Sequence, residues 1–313
     1  MAGKPNTQGN GSIQRHARFE SAHVESRHID VWMPPGYHED KERYPVLYMH
    51  DGQNLFDPIL AYGNVDWGVD EAVSRLIATR GLHGAIVVGI WNSDFRWQEY
   101  MPAKPLQGPA MKRVRADFVD FAGGPALADA YLKFIVDELK PVIDSRYRTL
   151  ADQANTFMLG SSMGALVSLY AISEYPAVFG GAGCISSHWP AGGDLLVDAM
   201  AARLPEPASH KLYFDFGSET LDASYEPFQR RMDEHLRNAG YQEGRNWITR
   251  KFEGADHSEA SWRERIDIPL TRTSRNQTGK RNDGKLLNRT GPKAPYTSQR
   301  LEKRSGNFPS KIF

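Results

Sequence analysis

One serine stands where its local backbone can make it a nucleophile. Residues 156–170 read TFMLGSSMGALVSLY, which sets Ser162 inside Gly160-Ser161-Ser162-Met163-Gly164. The run Thr156-Phe157-Met158-Leu159 is of strand type, and Met163, Leu166, Val167, Tyr170 and Ala171 then recur at helical spacing. A strand that turns sharply into a helix at a serine, with glycine two residues to either side, is a nucleophile elbow. Such a turn predicts a strained backbone at Ser162 and no room for side chains at positions 160 and 164. It also aims first-turn amides, notably that of Met163, at the space beside the hydroxyl, where a developing oxyanion is held.

A serine hydroxyl is a poor nucleophile at neutral pH and needs a base within hydrogen-bond reach. An elbow of this kind is followed in the chain by an acid after a late strand and a histidine after the last one. Among ten histidines, His257 lies in Gly254-Ala255-Asp256-His257-Ser258-Glu259, a turn directly after the final strand pattern. The acid is expected after Leu212-Tyr213-Phe214-Asp215-Phe216, where Glu219 and Asp222 are both placed to orient the imidazole. Asp222 is favoured because its extra residues let it reach back, with Glu219 the alternative. Asp215 reads as structural, and Asp256 as facing away or capping the next helix. A second oxyanion donor is expected from His50-Asp51-Gly52-Gln53-Asn54, through the amide of Gln53 or Gly52. There, glycine would let backbone approach a substrate carbonyl.

Strand and helix patterns alternate around these residues. Strands are expected at 17–22, 28–33, 44–50, 85–90, 156–159, 181–186, 211–216 and 247–252, and helices at 69–79, 126–143 and 227–239. Repeated alternation implies an α/β fold with a mostly parallel sheet covered by helices on both faces. Residues 92–123 are polar and without clear period, and read as a long loop over the site. Within it, Arg96 and Tyr100 are candidate substrate-binding residues, although an Arg96–Glu99 ion pair is an equal reading for the arginine. Trp189 and His188, after another strand end, either line a pocket or close the core. The basic cluster Met111-Lys112-Arg113 with Arg115 reads as a solvated loop face.

Composition bounds the rest. The 313 residues, 40% hydrophobic and 11% aromatic, suit one large core. Cys184 is the only cysteine, which excludes an intrachain disulfide, and its strand context makes it a small buried apolar residue. No signal-peptide stretch or apolar run of membrane-spanning length is present, so a cytoplasmic location is the default expectation. The formal net charge of zero hides an asymmetry. Residues 271–313 carry eleven Lys/Arg against Asp283 and Glu302, about +9, leaving 27 basic and 36 acidic side chains elsewhere, about −9. That tail is poor in apolar residues and expected to be disordered, as are residues 1–14, which leaves 15–270 as the folded domain. The tail lacks aromatic-basic interleaving, so no nucleic-acid partner is expected, and no membrane partner either. No metal cluster, dinucleotide glycine motif or phosphate loop appears, so no cofactor is expected. The oligomeric state is not legible.

Several segments together resemble the putative esterase family of esterase D-like α/β hydrolases, which includes feruloyl, acetyl and siderophore esterases. They are YPVLYMHDGQNLFD at 44–57, AIVVGIWNSDFRWQEYMP at 85–102, AYLKFIVDELKPVIDSRYRT at 130–149, MLGSSMGALVSLYAISEYPAVFG at 158–180 and GADHSEASWRERI at 254–266. The enterochelin- and bacillibactin-esterase-like branch is the nearest in flavour. The resemblance implies an α/β-hydrolase fold, Ser162 as nucleophile and His257 as base. It also implies cofactor-free hydrolysis of small-molecule carboxylic esters, of short-acyl or aromatic (feruloyl or siderophore) type. Acyl transfer from the same site, or a catalytically inactive binding homologue, are the alternatives. The position of the acid varies across the family.

Overall fold

The computed structural model describes residues 11–273; the expectations for the first ten residues and for the basic tail beyond 273 lie outside them. Eight strands form one sheet: β1 (Ser12–Phe19), β2 (Arg27–Met33), β3 (Val46–His50), β4 (Ile86–Ile90), β5 (Thr156–Ser161), β6 (Gly181–Ile185), β7 (Lys211–Gly217) and β8 (Trp247–Phe252). Their order is β1-β2-β4-β3-β5-β6-β7-β8. The β1–β2 and β2–β4 pairs are antiparallel and the pairs from β4 through β8 are parallel. This is the α/β-hydrolase arrangement. The folded region begins earlier than the expected residue 15, because Ser12 already pairs with Met33.

Among the described residues, ten α-helices connect and cover the strands: α1 (Val69–Arg80), α2 (Arg96–Tyr100), α3 (Lys112–Ala122), α4 (Ala128–Lys133), α5 (Lys140–Arg146), α6 (Met163–Glu174), α7 (Gly193–Ala201), α8 (Glu226–Asn238), α9 (Glu259–Arg265) and α10 (Asp267–Thr273). The helix expected at 126–143 is α4 and α5 joined by a π-helical turn, Phe134–Leu139. Segment 92–123 is not a bare loop. It contains α2, only five residues long, and α3, whose Val114, Phe118 and Phe121 do recur at helical spacing and were missed in the sequence reading. The basic cluster lies at the start of α3, where Arg113 pairs with Asp117 at 3.6 Å and the Arg115 guanidinium donates to the Leu106 carbonyl.

Strand alternation divides the core between the two faces. Val46, Tyr48, Ile86, Val88 and Met158 join one cluster with α4 and α6, while Leu47, Met49, Val87, Phe157 and Leu159 join the other with α1 and α10. Residues 163–172 of α6 are all buried, so the helix that follows the elbow is fixed from every side. Both faces being covered explains why β3, β4 and β5 read as unbroken apolar runs. The parallel strands all finish at one edge, and the turns leaving them share that edge.

Candidate active site

Ser162 is the first residue past β5. Its backbone lies at φ 56, ψ −120, a conformation that costs on the order of 1–3 kcal/mol for a non-glycine residue and persists only where surroundings enforce it. Enforcement comes from the Ser162 N–H, which donates to the Ile185 carbonyl at 2.9 Å, and from the Ser162 carbonyl, which accepts from the N–H groups of Ala165 and His188. A Cβ on Gly160 would sit 2.7 Å from the backbone of Gly164 and 2.9 Å from the His50 ring. Gly164 is looser, its hypothetical Cβ meeting His50 at 3.3 Å. The expectation of two impossible side chains therefore holds fully at 160 and only in part at 164.

His257 follows β8 and Asp222 follows β7, and parallel pairing of those strands brings the two turns together. The N–H groups of Ser218 and Glu219 both donate to the Ala255 carbonyl, and the His257 N–H donates to Thr220 Oγ1 at 2.9 Å. His257 Nδ1 donates to Asp222 Oδ1 at 2.6 Å. The other carboxylate oxygen accepts from Ser186 Oγ at 2.6 Å and from the Gly217 N–H at 2.7 Å. Burial pushes the Asp222 carboxyl up, but the hydrogen bonds and charge of its partners outweigh this and hold it below the usual carboxylate range. Glu219 is exposed, and its carboxylate accepts from Ser218 Oγ at 3.4 Å and not from His257. Trp262 and Tyr225 pack edge-on to the imidazole, with centroids at 5.0 and 5.7 Å. Among the described residues neither Ser162 Oγ nor His257 Nε2 has a hydrogen-bond partner.

A buried brace stands behind the pair. Ser186, itself at φ 45, donates to Asp222 and accepts from Trp262 Nε1 at 3.1 Å and Arg265 at 2.9 Å. The Arg265 guanidinium also holds Asp215 at 3.1 Å, and Tyr213 donates to the same carboxylate. Asp215 is thus structural, as its strand position predicts. The sequence reading missed Ser186 and Arg265; an arginine eight residues past His257 was the available signal. Asp256 does not cap α9: Ser258 is the cap, accepting from the Ser261 N–H, and Asp256 accepts from the Ser258 and Ser261 hydroxyls.

Opposite lies the turn after β3. Asp51, at φ 55, opens the short 3-10 turn Gly52–Asn54. The N–H groups of Gln53 and Met163 have no acceptor among the described residues. Gly52 is glycine for a different reason from the one expected. Its Cβ would strike the Gly89 carbonyl carbon at 2.5 Å, so the missing side chain faces β4 rather than a substrate. Arg96 pairs with Asp51 through two hydrogen bonds of 2.7 and 2.8 Å, not with Glu99, which is held by buried Arg27. Burial alone would raise the Asp51 carboxyl; the Arg96 pair and the Asn92 amide outweigh it and keep it low.

Of the four candidate pocket residues, Arg96 keeps a quarter of its side chain exposed. Tyr100, expected as a substrate-binding residue near the mouth of the site, is instead fully buried against His50 and Tyr131. Trp189 is fully buried too and closes the core, its Nε1 donating to Gln229. His188 is buried beside the His257 ring at 6.5 Å between centroids. Glu259, which the sequence reading did not single out, accepts from Asn54 at 3.4 Å, and burial together with the Asp51 charge raises its pKa. Cys184 is buried in β6, and burial pushes its thiol up. Among the described residues no group of three or more His, Cys, Asp or Glu could hold a metal ion, and no helix is long and apolar enough to cross a membrane.

The sheet order, with the elbow serine and an acid–imidazole pair on one edge, is that of the α/β-hydrolase fold. The chain belongs to the family described as "Putative esterase", which matches residues 21–272. Among relatives, it is 26% identical over 210 residues to the uncharacterized protein YbbA of Bacillus subtilis (strain 168), covering 67% of this chain and 72% of that protein. It is 27% identical over 180 residues to an endo-1,4-beta-xylanase/feruloyl esterase of Xylanibacter ruminicola, covering 56% of this chain but 22% of that protein. Similar folds include a ferulic acid esterase (TM-score 0.59, 19% identity, 83% of this chain and 96% of that one). Another is the enterobactin esterase FES of Shigella flexneri (TM-score 0.60, 17% identity, 82% and 58%).

Proposed function

We propose that this esterase-family chain is a serine carboxylic-ester hydrolase working through an acyl-enzyme. Ser162 Oγ attacks the ester carbonyl while His257 Nε2 takes its proton. Asp222 fixes the imidazole tautomer and stabilises the imidazolium that forms. The N–H groups of Met163 and Gln53 (or Gly52) hold the oxyanion. His257 then protonates the departing alcohol, and a water deprotonated by the same nitrogen releases the acid. The absence of a Ser162–His257 hydrogen bond fits an open site, since such contacts commonly tighten only when substrate is bound.

The observation that carries this reading is the 2.6 Å His257–Asp222 bond, on the same sheet edge as the strained Ser162. The feruloyl esterase relative and the ferulic acid and enterobactin esterase folds support esters of short-acyl or aromatic type. The test is a panel of nitrophenyl, feruloyl and acetyl-sugar esters, with Ser162→Ala as control and a fluorophosphonate to label the serine. Turnover should fall on the order of 10⁶-fold in the variant. Equal turnover by both proteins, or labelling that persists in the variant, rejects the reading.

A further inference from the structure

His188 sits just past β6, two residues after the brace serine Ser186, with its N–H bonded to the Ser162 carbonyl at 3.2 Å. Its ring is walled on three sides. Tyr225 hydroxyl meets Nδ1 at 2.6 Å, the His257 ring lies 6.5 Å away, and Trp97 lies edge-on at 5.9 Å. The remaining nitrogen, Nε2, is fully buried and has no hydrogen-bond partner among the described residues; the Ser187 hydroxyl next to it in the chain is in the same condition. Burial, with His257 beside it, lowers the His188 pKa to about 3, so the ring is a neutral hydrogen-bonding group rather than a charge. Buried polar atoms without partners are rare in native proteins, and one beside a catalytic candidate calls for an explanation. Trp97 continues outward to Phe121, edge-on at 4.8 Å and 47% exposed, so an aromatic pair leads from the surface to the His188 ring.

We infer that His188 Nε2 is a polar subsite for an oxygen substituent, a hydroxyl or carbonyl, carried by the substrate near its scissile ester. The inference rests on the ester-hydrolase reading and adds a substrate class to it: esters with a second oxygen function, in preference to their plain hydrocarbon analogues. The discrimination follows from desolvation. A plain analogue leaves Nε2 buried and unpaired, whereas the oxygenated ester completes it, and sites built this way reject the analogue strongly. The chain from Phe121 through Trp97 would carry the apolar body of the same substrate.

The test compares matched nitrophenyl esters, 3-hydroxybutanoate against butanoate and hydroxyphenylacetate against phenylacetate, on the full chain. The native enzyme should favour the oxygenated member of at least one pair by about 10- to 100-fold in kcat/KM. His188→Phe should bring that ratio to within about twofold of one, and His188→Asn should restore part of it. The ratio is insensitive to the fraction of folded enzyme, so a merely structural histidine would lower both rates and leave it unmoved. An unmoved ratio, or a native enzyme that does not discriminate, overturns the subsite and leaves a resident water as the partner of Nε2. Calorimetric binding of the same pairs to Ser162→Ala reads the preference without turnover. Preferential binding without hydrolysis by the native chain would sink the hydrolase reading alone, and binding without preference sinks the subsite.

Discussion

Asp222 and His257 meet at 2.6 Å across 35 positions of chain, and the acid is anchored on its second oxygen before it touches the imidazole. Asp222→Asn keeps the shape but removes the acceptor that selects the tautomer. Turnover should fall on the order of 10³–10⁴-fold. Glu219→Ala, at an exposed position three residues earlier, should stay within about twofold. Steady-state kinetics on one nitrophenyl ester decides this, and a larger loss in the Glu219 variant would reverse the assignment.

Steric space at the elbow separates two glycines that look equivalent in sequence. Gly160→Ala places a carbon 2.7 Å from backbone that cannot move without unwinding α6. It should cost several kcal/mol or prevent folding. Gly164→Ala meets only the His50 side chain at 3.3 Å and should retain a folded protein destabilised by about 1–2 kcal/mol. Urea midpoints of the two variants measure the difference; equal losses would contradict the geometry.

The brace makes a second stability prediction. Arg265 and Asp215 are both almost wholly buried, so Arg265→Met leaves an uncompensated carboxylate and should cost about 3–5 kcal/mol. Adding Asp215→Asn should recover part of that loss, because the stranded charge goes with it. Denaturant titration of the single and double variants gives the coupling, and strictly additive losses would refute it.

Asp70, in the first turn of α1, has a buried oxygen without a partner, and burial raises its carboxyl to about 6. A folded pKa above the unfolded value means that the native state binds the proton more tightly. Its cost is therefore absent below pH 4 and develops as pH rises towards 6 and beyond. Asp70→Asn should raise stability by roughly 1 kcal/mol at pH 8, after discounting for partial exposure and lost helix-dipole attraction, and by nothing near pH 4. Thermal melts at both values test the sign.

Much of this was legible because the informative signals are local. The elbow is five residues of fixed types between a strand and a helix, and His257 follows the last strand pattern directly. Asp222 and Glu219 lie in one turn, and their separation depends on backbone at Thr220, with φ 54, which composition does not reveal. The Arg96–Asp51 pair joins residues 45 apart that compete with a nearer Glu99, and spacing alone cannot rank them. Helix α2 was hidden because it has only five residues, whereas α3 was legible in the spacing of Val114, Phe118 and Phe121 and was passed over amid the polar residues around it. Tyr100 lies at the floor of the site, its hydroxyl already taken by the Asp51 N–H, a partnership 49 positions apart that spacing does not reveal.

The order in which the chain delivers its parts has a bearing on synthesis. Serine, acid and imidazole leave the ribosome in that sequence, and the arginine that steadies the acid comes after all of them. On the catalytic roles proposed above, a chain that lacks β8 and the turn behind it carries the elbow serine without the imidazole meant to serve it. Under that proposal a truncation anywhere upstream of the turn would yield a scaffold without a base.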